Sequence, residues 1–261
     1  MNFAKQYKIK NEGSLKLNHE ERETIRLNKY ISDAGVASRR EADKMIEVKR
    51  VKVNGKIAEV GTRIYPDDIV MVDNKVISPK QDKVYIALHK PIGIISTTDT
   101  AIKGNMITFM NYKEKIFPVG RLDKDSSGLI LLSNDGDIVN KILRVENGHD
   151  KEYFVKVDKK ITKDFVTQME SGVIIYNPVQ HKNQRTLPCE IIQVDEYSFR
   201  ITLKQGLNRQ IRRMCEALGY HVEVLRRDRI MTIHLNDLPE GYWRYLTEKE
   251  LNELNEFINK K

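Results

Sequence analysis

The chain contains 261 residues, of which 40% are hydrophobic and 31% are charged, and it carries a formal net charge of +8. This composition is typical of a globular protein with room for one large and one small domain. No apolar run approaches the roughly 20 residues that span a bilayer, and the first residues lack the apolar core of a signal peptide. Cys189 and Cys215 are too few for a disulfide framework, so we expect a reduced, cytoplasmic location.

Positive charge is concentrated in two stretches of the chain. Nine Lys or Arg residues against four Asp or Glu residues lie between Arg26 and Lys56, and eight against three lie between Phe199 and Met231. Such clusters fit a partner that carries many phosphates. A solvated basic surface without a ligand fits the same counts, so the motifs have to decide.

The N-terminal part of the chain predicts a flexible extension followed by a small domain. Residues 1–23 are polar and basic without a sustained period, as in flexible segments. Within residues 24–77, Leu27, Tyr30 and Ile31 recur at helical spacing. Ser38 and Glu41 have the spacing of a capping box at the start of a second helix. Asn-Gly inside the alternating stretch 51–57 predicts a two-residue β-hairpin, and a further strand is expected at 69–72.

Residues 78–83 have the composition of a linker, and residues 84–261 predict a larger domain. Strands are expected at 84–88, 128–132, 151–157, 189–194 and 198–203, and helices at 137–143, 164–171 and 208–218. Because strands and helices do not alternate regularly, the fold class is α+β, with a mixed, mostly antiparallel sheet flanked by helices.

The segment Gly120–Gly128 is a polar, glycine-bounded loop between apolar stretches, which is a common location of catalytic residues. Arg121 and Asp123 beside apolar flanks suggest a partly buried ion pair. An ordinary Asp- and Ser-rich turn remains the alternative interpretation. In the later stretch 205–215, Ile211, Met214 and Cys215 form an apolar helix face bordered by arginines. Those arginines can reach phosphates or a buried carboxylate, or lie on an exposed helix face.

The stretch Arg26–Val76 resembles a small RNA-binding domain first recognised in a small-subunit ribosomal protein, which we call the S-four-like domain. The resemblance is carried by Leu27–Ile31, Gly35–Ala42 and Val51–Gly55. It implies RNA binding but no catalysis. The predicted RNA contacts in this domain are Lys29, Arg39 and Arg40, of which the two arginines occupy a first helical turn whose backbone N–H groups also favour phosphate.

The rest of the chain resembles bacterial RNA pseudouridine synthases. The matching motifs, in the expected order, are His89–Gly93, Gly120–Asp123 with Ser127–Leu129, Lys151–Tyr153, and Arg209–Met214. Within the family, the chain is most similar to the RsuA/RluB/RluF group. The stretch Asn208–Met231 is similar to the RluF-type enzymes of large-subunit (23S) ribosomal RNA.

The resemblance implies a role for each matching residue. Asp123 is the nucleophile, Tyr153 stacks on the uracil and takes part in proton transfer, Arg212 pairs with Asp123, and Arg121 helps to hold the loop and fills the space of the flipped base. Lys90, Arg209 and Arg213 are predicted to contact RNA. The implied reaction converts one uridine of ribosomal RNA, in a stem-loop of the large-subunit RNA, to pseudouridine after base flipping.

No cofactor or metal is expected, because the implied reaction is an isomerisation and the histidines and cysteines lack metal-ligand spacing. The expected partner is ribosomal RNA, with transfer RNA as a further candidate substrate, and the expected state is a monomer. Two other functions stay open. A non-catalytic RNA-binding or ribosome-assembly factor would keep the fold without the chemistry. A hydrolase would use Asp123 and Asp125 as its carboxylate pair, at a separation that the sequence does not define.

Overall fold

The computed structural model describes residues 3–6, 24–79, 83–136, 138, 142 and 150–259. Most of the predicted extension 1–23, the middle of the predicted linker 78–83 and most of the predicted helix 137–143 lie outside the described residues. Within the extension, strand β1 (Lys5–Gln6) pairs with a strand near the C-terminus. The backbone N–H groups of Ala4 and Lys5 donate to the carbonyls of Phe109 and Gly241. The prediction of a wholly flexible extension is therefore wrong for these residues, because backbone pairing fixes a segment with no apolar period of its own.

A small N-terminal module follows. Its elements are β2 (Ile25–Arg26), α1 (Leu27–Asp33), α2 (Arg39–Glu47), β3 (Val51–Val53), β4 (Lys56–Ile57), β5 (Arg63–Ile64), β6 (Val70–Val72) and β7 (Lys75–Ile77). The predicted capping box is confirmed: Glu41 N donates to Ser38 Oγ at 3.3 Å, and Ser38 N donates to the Glu41 carboxylate at 2.7 Å. The predicted hairpin is confirmed as well, with positive φ angles of 50° at Asn54 and 79° at Gly55.

The module has its own hydrophobic core. Leu27 and Ile31 of α1 pack with Ala42 and Ile46 of α2 and with Val51 of β3, and all five are at most 2% exposed. Helical spacing therefore places one face of each short helix against the small sheet.

The larger part of the chain is built on one sheet. Its further elements are β8 (Tyr85–Lys90), α3 (Met106–Met110), β9 (Phe117–Val119), β10 (Ser127–Ser133), β11 (Lys151–Val157), α4 (Lys163–Glu170), β12 (Ile174–Asn177), β13 (Lys182–Arg185), β14 (Glu190–Gln193), β15 (Ser198–Leu203), α5 (Gln210–Ala217), β16 (Val222–Ile230), β17 (Ile233–His234), β18 (Tyr242–Tyr245) and α6 (Glu248–Asn259). The main strand order is β1-β18-β8-β10-β16-β11-β15-β14.

The predicted mixed, mostly antiparallel sheet is confirmed, because among the strands of this sheet that the structure describes only β1–β18 and β10–β16 pair in parallel. Strand β16 was not predicted. It contains four consecutive charged residues, 226–229, so its sequence lacks both the continuous apolar run of a central strand and a regular alternation. Among the described helices, none is long and apolar enough to cross a membrane.

One row of residues crosses the centre of the sheet. Lys90 of β8 is opposite Gly128 of β10, Gly128 is opposite Arg227 of β16, and Arg227 is opposite Tyr153 of β11. Paired residues of neighbouring strands point to the same face. Gly128 has a φ of +110°, and a Cβ there would lie 2.4 Å from both N and O of Arg227. Only glycine allows β10 and β16 to approach this closely.

Candidate active site

The polar loop that contains Asp123 enters β10 directly, and its backbone is held by the segment that follows β8. Ser96 Oγ accepts from Leu122 N at 3.1 Å and donates to Leu122 O at 2.8 Å. Gly93 N donates to Lys124 O at 2.7 Å, and within the loop Ser126 N donates to Asp123 O at 3.1 Å. The backbone on both sides of Asp123 is thus fixed, although its side chain remains 34% exposed.

Two arginines at the start of helix α5 lie against this loop, Arg209 just before the helix and Arg212 in its first turn. Both of them bind Asp125. Arg209 donates two parallel hydrogen bonds to the Asp125 carboxylate, each 2.9 Å long. Arg212 Nη2 donates to the backbone carbonyl of Asp125 at 2.8 Å, and its Nε lies 3.4 Å from the carboxylate. The predicted pairing of Arg212 with Asp123 is therefore wrong in this structure. The turn between the two aspartates directs Asp125 toward the helix.

Asp123 nevertheless lies in a positively charged environment. Arg209 Nη1 is 3.8 Å from Asp123 Oδ2. Lys90 also interacts electrostatically with Asp123: the charge of Asp123 raises the pKa of Lys90 and opposes the larger lowering caused by burial. In the part of the chain that the structure describes, Arg209 makes the only ion pair with Asp123 within 4 Å. A carboxylate with few hydrogen bonds and cations on its flanks is suited to nucleophilic attack.

Asp125 has the opposite character. Hydrogen bonds from Arg209 chiefly lower its pKa, and the charge of Arg212 acts in the same direction against the effect of burial. A general acid would need a raised pKa. The interpretation of Asp123 and Asp125 as a hydrolase pair is not supported, because Asp125 is held as an anion by the arginines. Arg209 itself has a φ of 52°, an uncommon conformation for a non-glycine residue, at the start of α5.

Lys90 was predicted to contact RNA, but it is 0% exposed. Its Nζ donates to the carbonyls of Pro91 and Ile94, both at 2.9 Å. Burial lowers the pKa of Lys90 to about 8. The prediction of an RNA-binding surface lysine is therefore wrong, since Lys90 closes the turn that supports the Asp123 loop.

The other two residues assigned to the chemistry differ in their surroundings. Arg121 is exposed, and the expected ion pair with Asp123 is absent among the described contacts, which corrects that prediction. Its backbone carbonyl lies 3.5 Å from Arg227 Nη1. Tyr153 is half-buried and packs between two hydrophobic clusters. Its ring centroid lies 6.0 Å from Cζ of Arg227.

The remaining predicted RNA contacts lie on the surface or bind their neighbours. Arg39 and Arg40 are exposed in the first turn of α2. Lys29 forms an ion pair of 2.6 Å with Asp33 in the same helix. Arg213 donates to the backbone and side-chain oxygens of Asn208. Of these four predicted RNA contacts, Arg39 and Arg40 are therefore the ones that expose a side chain for phosphate contact without a protein partner in the described structure.

Sequence reasoning missed two residues that contact this site, Ser96 and Arg227. Ser96 gives no sequence signal, because a single serine in a loop is common. Arg227 gave no sequence signal either, because it lies in a run of four charged residues, 226–229, of the kind that usually faces solvent. Among the described residues, no three His, Cys, Asp or Glu side chains are grouped so as to hold a metal ion.

Comparison with known proteins shows which family this chain resembles. A family model described as RNA pseudouridylate synthase matches residues 84–217, and one described as S4 domain matches residues 25–70. The chain is 51% identical, over 90% of its length and 80% of the relative's, to "Dual-specificity RNA pseudouridine synthase RluF" of Escherichia coli (strain K12). It is 35% identical, over 88% of its length and 95% of the relative's, to "Ribosomal large subunit pseudouridine synthase B" of Bacillus subtilis (strain 168).

A solved structure titled "Crystal structure of pseudouridylate synthase" is also similar. It matches with a TM-score of 0.64 and 28% identity, covering 88% of this chain and 99% of that one. Because the match covers 88% of this chain, it extends beyond the larger domain into the N-terminal module.

Proposed function

Because the chain belongs to the RNA pseudouridylate synthase family, we propose that it converts a specific uridine of large-subunit ribosomal RNA to pseudouridine, with Asp123 as nucleophile. The enzyme class follows from the family, and the RNA target is proposed from the names of the relatives. The observation that supports Asp123 is its position in a loop whose backbone is fixed on both sides while its side chain stays partly exposed.

The proposed reaction exchanges one bond of the ribose for another. The bond between C1′ and uracil N1 breaks, a bond between C1′ and C5 forms, the C5 proton leaves to solvent, and N1 gains a proton. Asp123 forms and releases a covalent adduct during this exchange. Arg209 lies 3.8 Å from the Asp123 carboxylate, and Tyr153 stacks on the base and takes part in proton transfer. Atoms and electrons balance without a redox partner.

The target base must leave its stack before Asp123 can reach it, which costs a few kcal/mol. We propose that Arg121 fills the vacated space, because its side chain is exposed at the edge of the loop. Arg39 and Arg40 of the module contribute phosphate contacts that offset the cost.

The test is release of tritium from ribosomal RNA transcripts labelled at uracil C5. We expect release by the wild type and none by D123N, with RNA binding retained in both. D123N is nearly isosteric, so its folding can be checked by thermal unfolding. Tight RNA binding without release from any ribosomal RNA or subunit would instead identify a non-catalytic RNA-binding or assembly factor.

A second substrate is proposed from one word in the name of the Escherichia coli relative, "dual-specificity". Transfer RNA is our candidate, and labelled transfer RNA belongs in the same assay. For the quaternary state we propose a monomer, to be checked by light scattering with and without RNA.

A further inference from the structure

The guanidinium of Arg227 lies in the centre of the sheet and connects several parts of the site. The residue is 3% exposed. Its Nε donates to Leu129 O on β10 at 2.7 Å, and its Nη1 lies 3.5 Å from Arg121 O, two residues before Asp123. On the other side, the ring of Tyr153 on β11 lies 6.0 Å from Cζ. One side chain therefore contacts both the strand that follows the nucleophile loop and the proposed stacking residue.

The electrostatic surroundings of Arg227 are unusual for a buried charge. No carboxylate lies within 4 Å of it among the described residues, and its buried Nη2 finds no hydrogen-bond acceptor there. Lys90 and Lys151 are close enough for its charge to lower the pKa of each, in addition to the larger effect of burial. A buried charge without a counter-ion is unfavourable for folding, and its replacement by a well-packed apolar residue is often neutral or stabilising. Packing alone therefore does not explain an arginine at this position.

The geometry limits what Arg227 can touch. Its accessible surface is nearly nil, and the Tyr153 ring and the backbone of the nucleophile loop lie around it. It can act on a bound uracil only through those two elements. Because Tyr153 and Arg227 are paired across β11 and β16 and Arg227 is buried, we expect a substitution of Arg227 to move the Tyr153 ring and to leave the exposed surface unchanged.

We infer that Arg227 is a positioning residue that fixes the Tyr153 ring and the loop carrying Asp123 relative to each other. This inference rests on the proposed function. It assigns Arg227 to the step in which C5 loses its proton, since that step depends on where Tyr153 stands. A displacement of about 1 Å at a reacting centre can lower a rate about 10²-fold.

The experiment compares R227M, R227K and R226M with the wild type. Arg226 is the matched control, because the neighbouring residue of a strand points to the opposite face. It stacks on Phe154 at 5.4 Å and pairs with Asp228 at 2.6 Å, away from Tyr153. For each variant we would measure kcat, RNA affinity, thermal unfolding and the isotope effect of deuterium at uracil C5.

For R227M we expect kcat to fall about 10²-fold with unchanged RNA affinity, and an isotope effect larger than in the wild type, because proton removal becomes slower. R227K keeps the charge, but its side chain reaches only one of the two carbonyls. Its kcat should therefore lie between those of the wild type and R227M. R226M should keep the kcat and isotope effect of the wild type.

Two outcomes would overturn the inference. One is a wild-type kcat in R227M. The other is a loss of kcat with an unchanged isotope effect, which would indicate general destabilisation. If R227M does not fold, the isotope effect of R227K is used instead: a larger effect than in the wild type supports the inference, and an unchanged effect overturns it. Tritium release by the wild type tests the synthase activity separately, so an inactive wild type would remove the proposed function as well as this inference.

Discussion

Asp125 binds Arg209 and Arg212, although the family resemblance assigns Arg212 to Asp123. The two aspartates are two residues apart in a turn, and no local pattern determines which carboxylate faces the helix. The structure resolves this through backbone contacts: Ser126 N donates to Asp123 O, and Arg212 donates to Asp125 O. The sequence indicated that these arginines could reach a carboxylate, but it did not determine which aspartate they bind.

The carboxylate of Asp125 should make folding stability depend on pH. Its pKa is lowered chiefly by Arg209, so its stabilising contribution is complete above the unfolded pKa of about 3.9 and is lost as pH falls through the lower folded pKa. We expect D125N to unfold at a lower temperature than the wild type at neutral pH. The gap between them should narrow below about pH 4. A gap that stays constant from neutral to strongly acidic pH would contradict this assignment.

Ser96 should stabilise the nucleophile loop, because its hydroxyl satisfies both backbone groups of Leu122. We expect S96A to lower the free energy of unfolding by about 1–3 kcal/mol, the cost of unsatisfied buried polar groups, and to lower kcat. Denaturant unfolding and tritium release measure the two effects. S171A is the matched control, since Ser171 Oγ donates to Gln168 O at an exposed position. Equal effects of the two substitutions would disprove a special role for Ser96.

At the scale of elements, signals confined to a few residues predicted structure well. The capping box of α2 and the Asn-Gly hairpin are confirmed because their hydrogen bonds connect near neighbours in sequence. Strand β1 and strand β16 were missed, since their stability comes from pairing with residues about 65 to 240 positions away. The interior location of Lys90 was missed for the same reason. A lysine in a sequence predicts a surface position, and its burial becomes evident only when the strands that pair with β8 are known.

The parallel pairing of β10 with β16 depends on Gly128. A Cβ at this position would meet the backbone of Arg227 at 2.4 Å, and φ is +110°. We expect G128A to lower the free energy of unfolding by about 3–5 kcal/mol through overpacking and backbone strain. Gly206 is the control, because a Cβ there meets nothing within 4 Å. Thermal unfolding of both variants is the measurement. Similar melting temperatures would show that the strands can separate without loss.

At the scale of the whole molecule, positive charge is divided between the module and the region around α5 and β16. In the second region most of the described arginines bind other protein groups. Arg209 pairs with Asp125, Arg212 donates to backbone carbonyls and Arg226 pairs with Asp228. In this region, phosphate contacts would therefore have to compete with these protein contacts. The module supplies charge that is free to bind RNA.

We expect RNA affinity to fall steeply with salt concentration and the module to account for a measurable part of the slope. If Arg39 and Arg40 each contact a phosphate, R39A/R40A should reduce the slope of log affinity against log salt by about 1.5. Filter binding over a range of salt concentrations gives the slope. K160A is the control, since Lys160 is paired with Glu196 beyond the far end of β11. An unchanged slope in R39A/R40A would place the phosphate contacts elsewhere.

Strand β1 has a topological consequence for the module. The chain pairs with β18 at Gln6, builds the module, and returns to the same sheet as β8. Gln6 and Leu88 both align with Trp243, so they lie in one row two strands apart, a separation of about 10 Å. The module is therefore an insertion with two stems rather than an appendage on one linker. An RNA-binding unit grafted in its place would have to be joined to the sheet at two strands, β1 and β8, rather than at one.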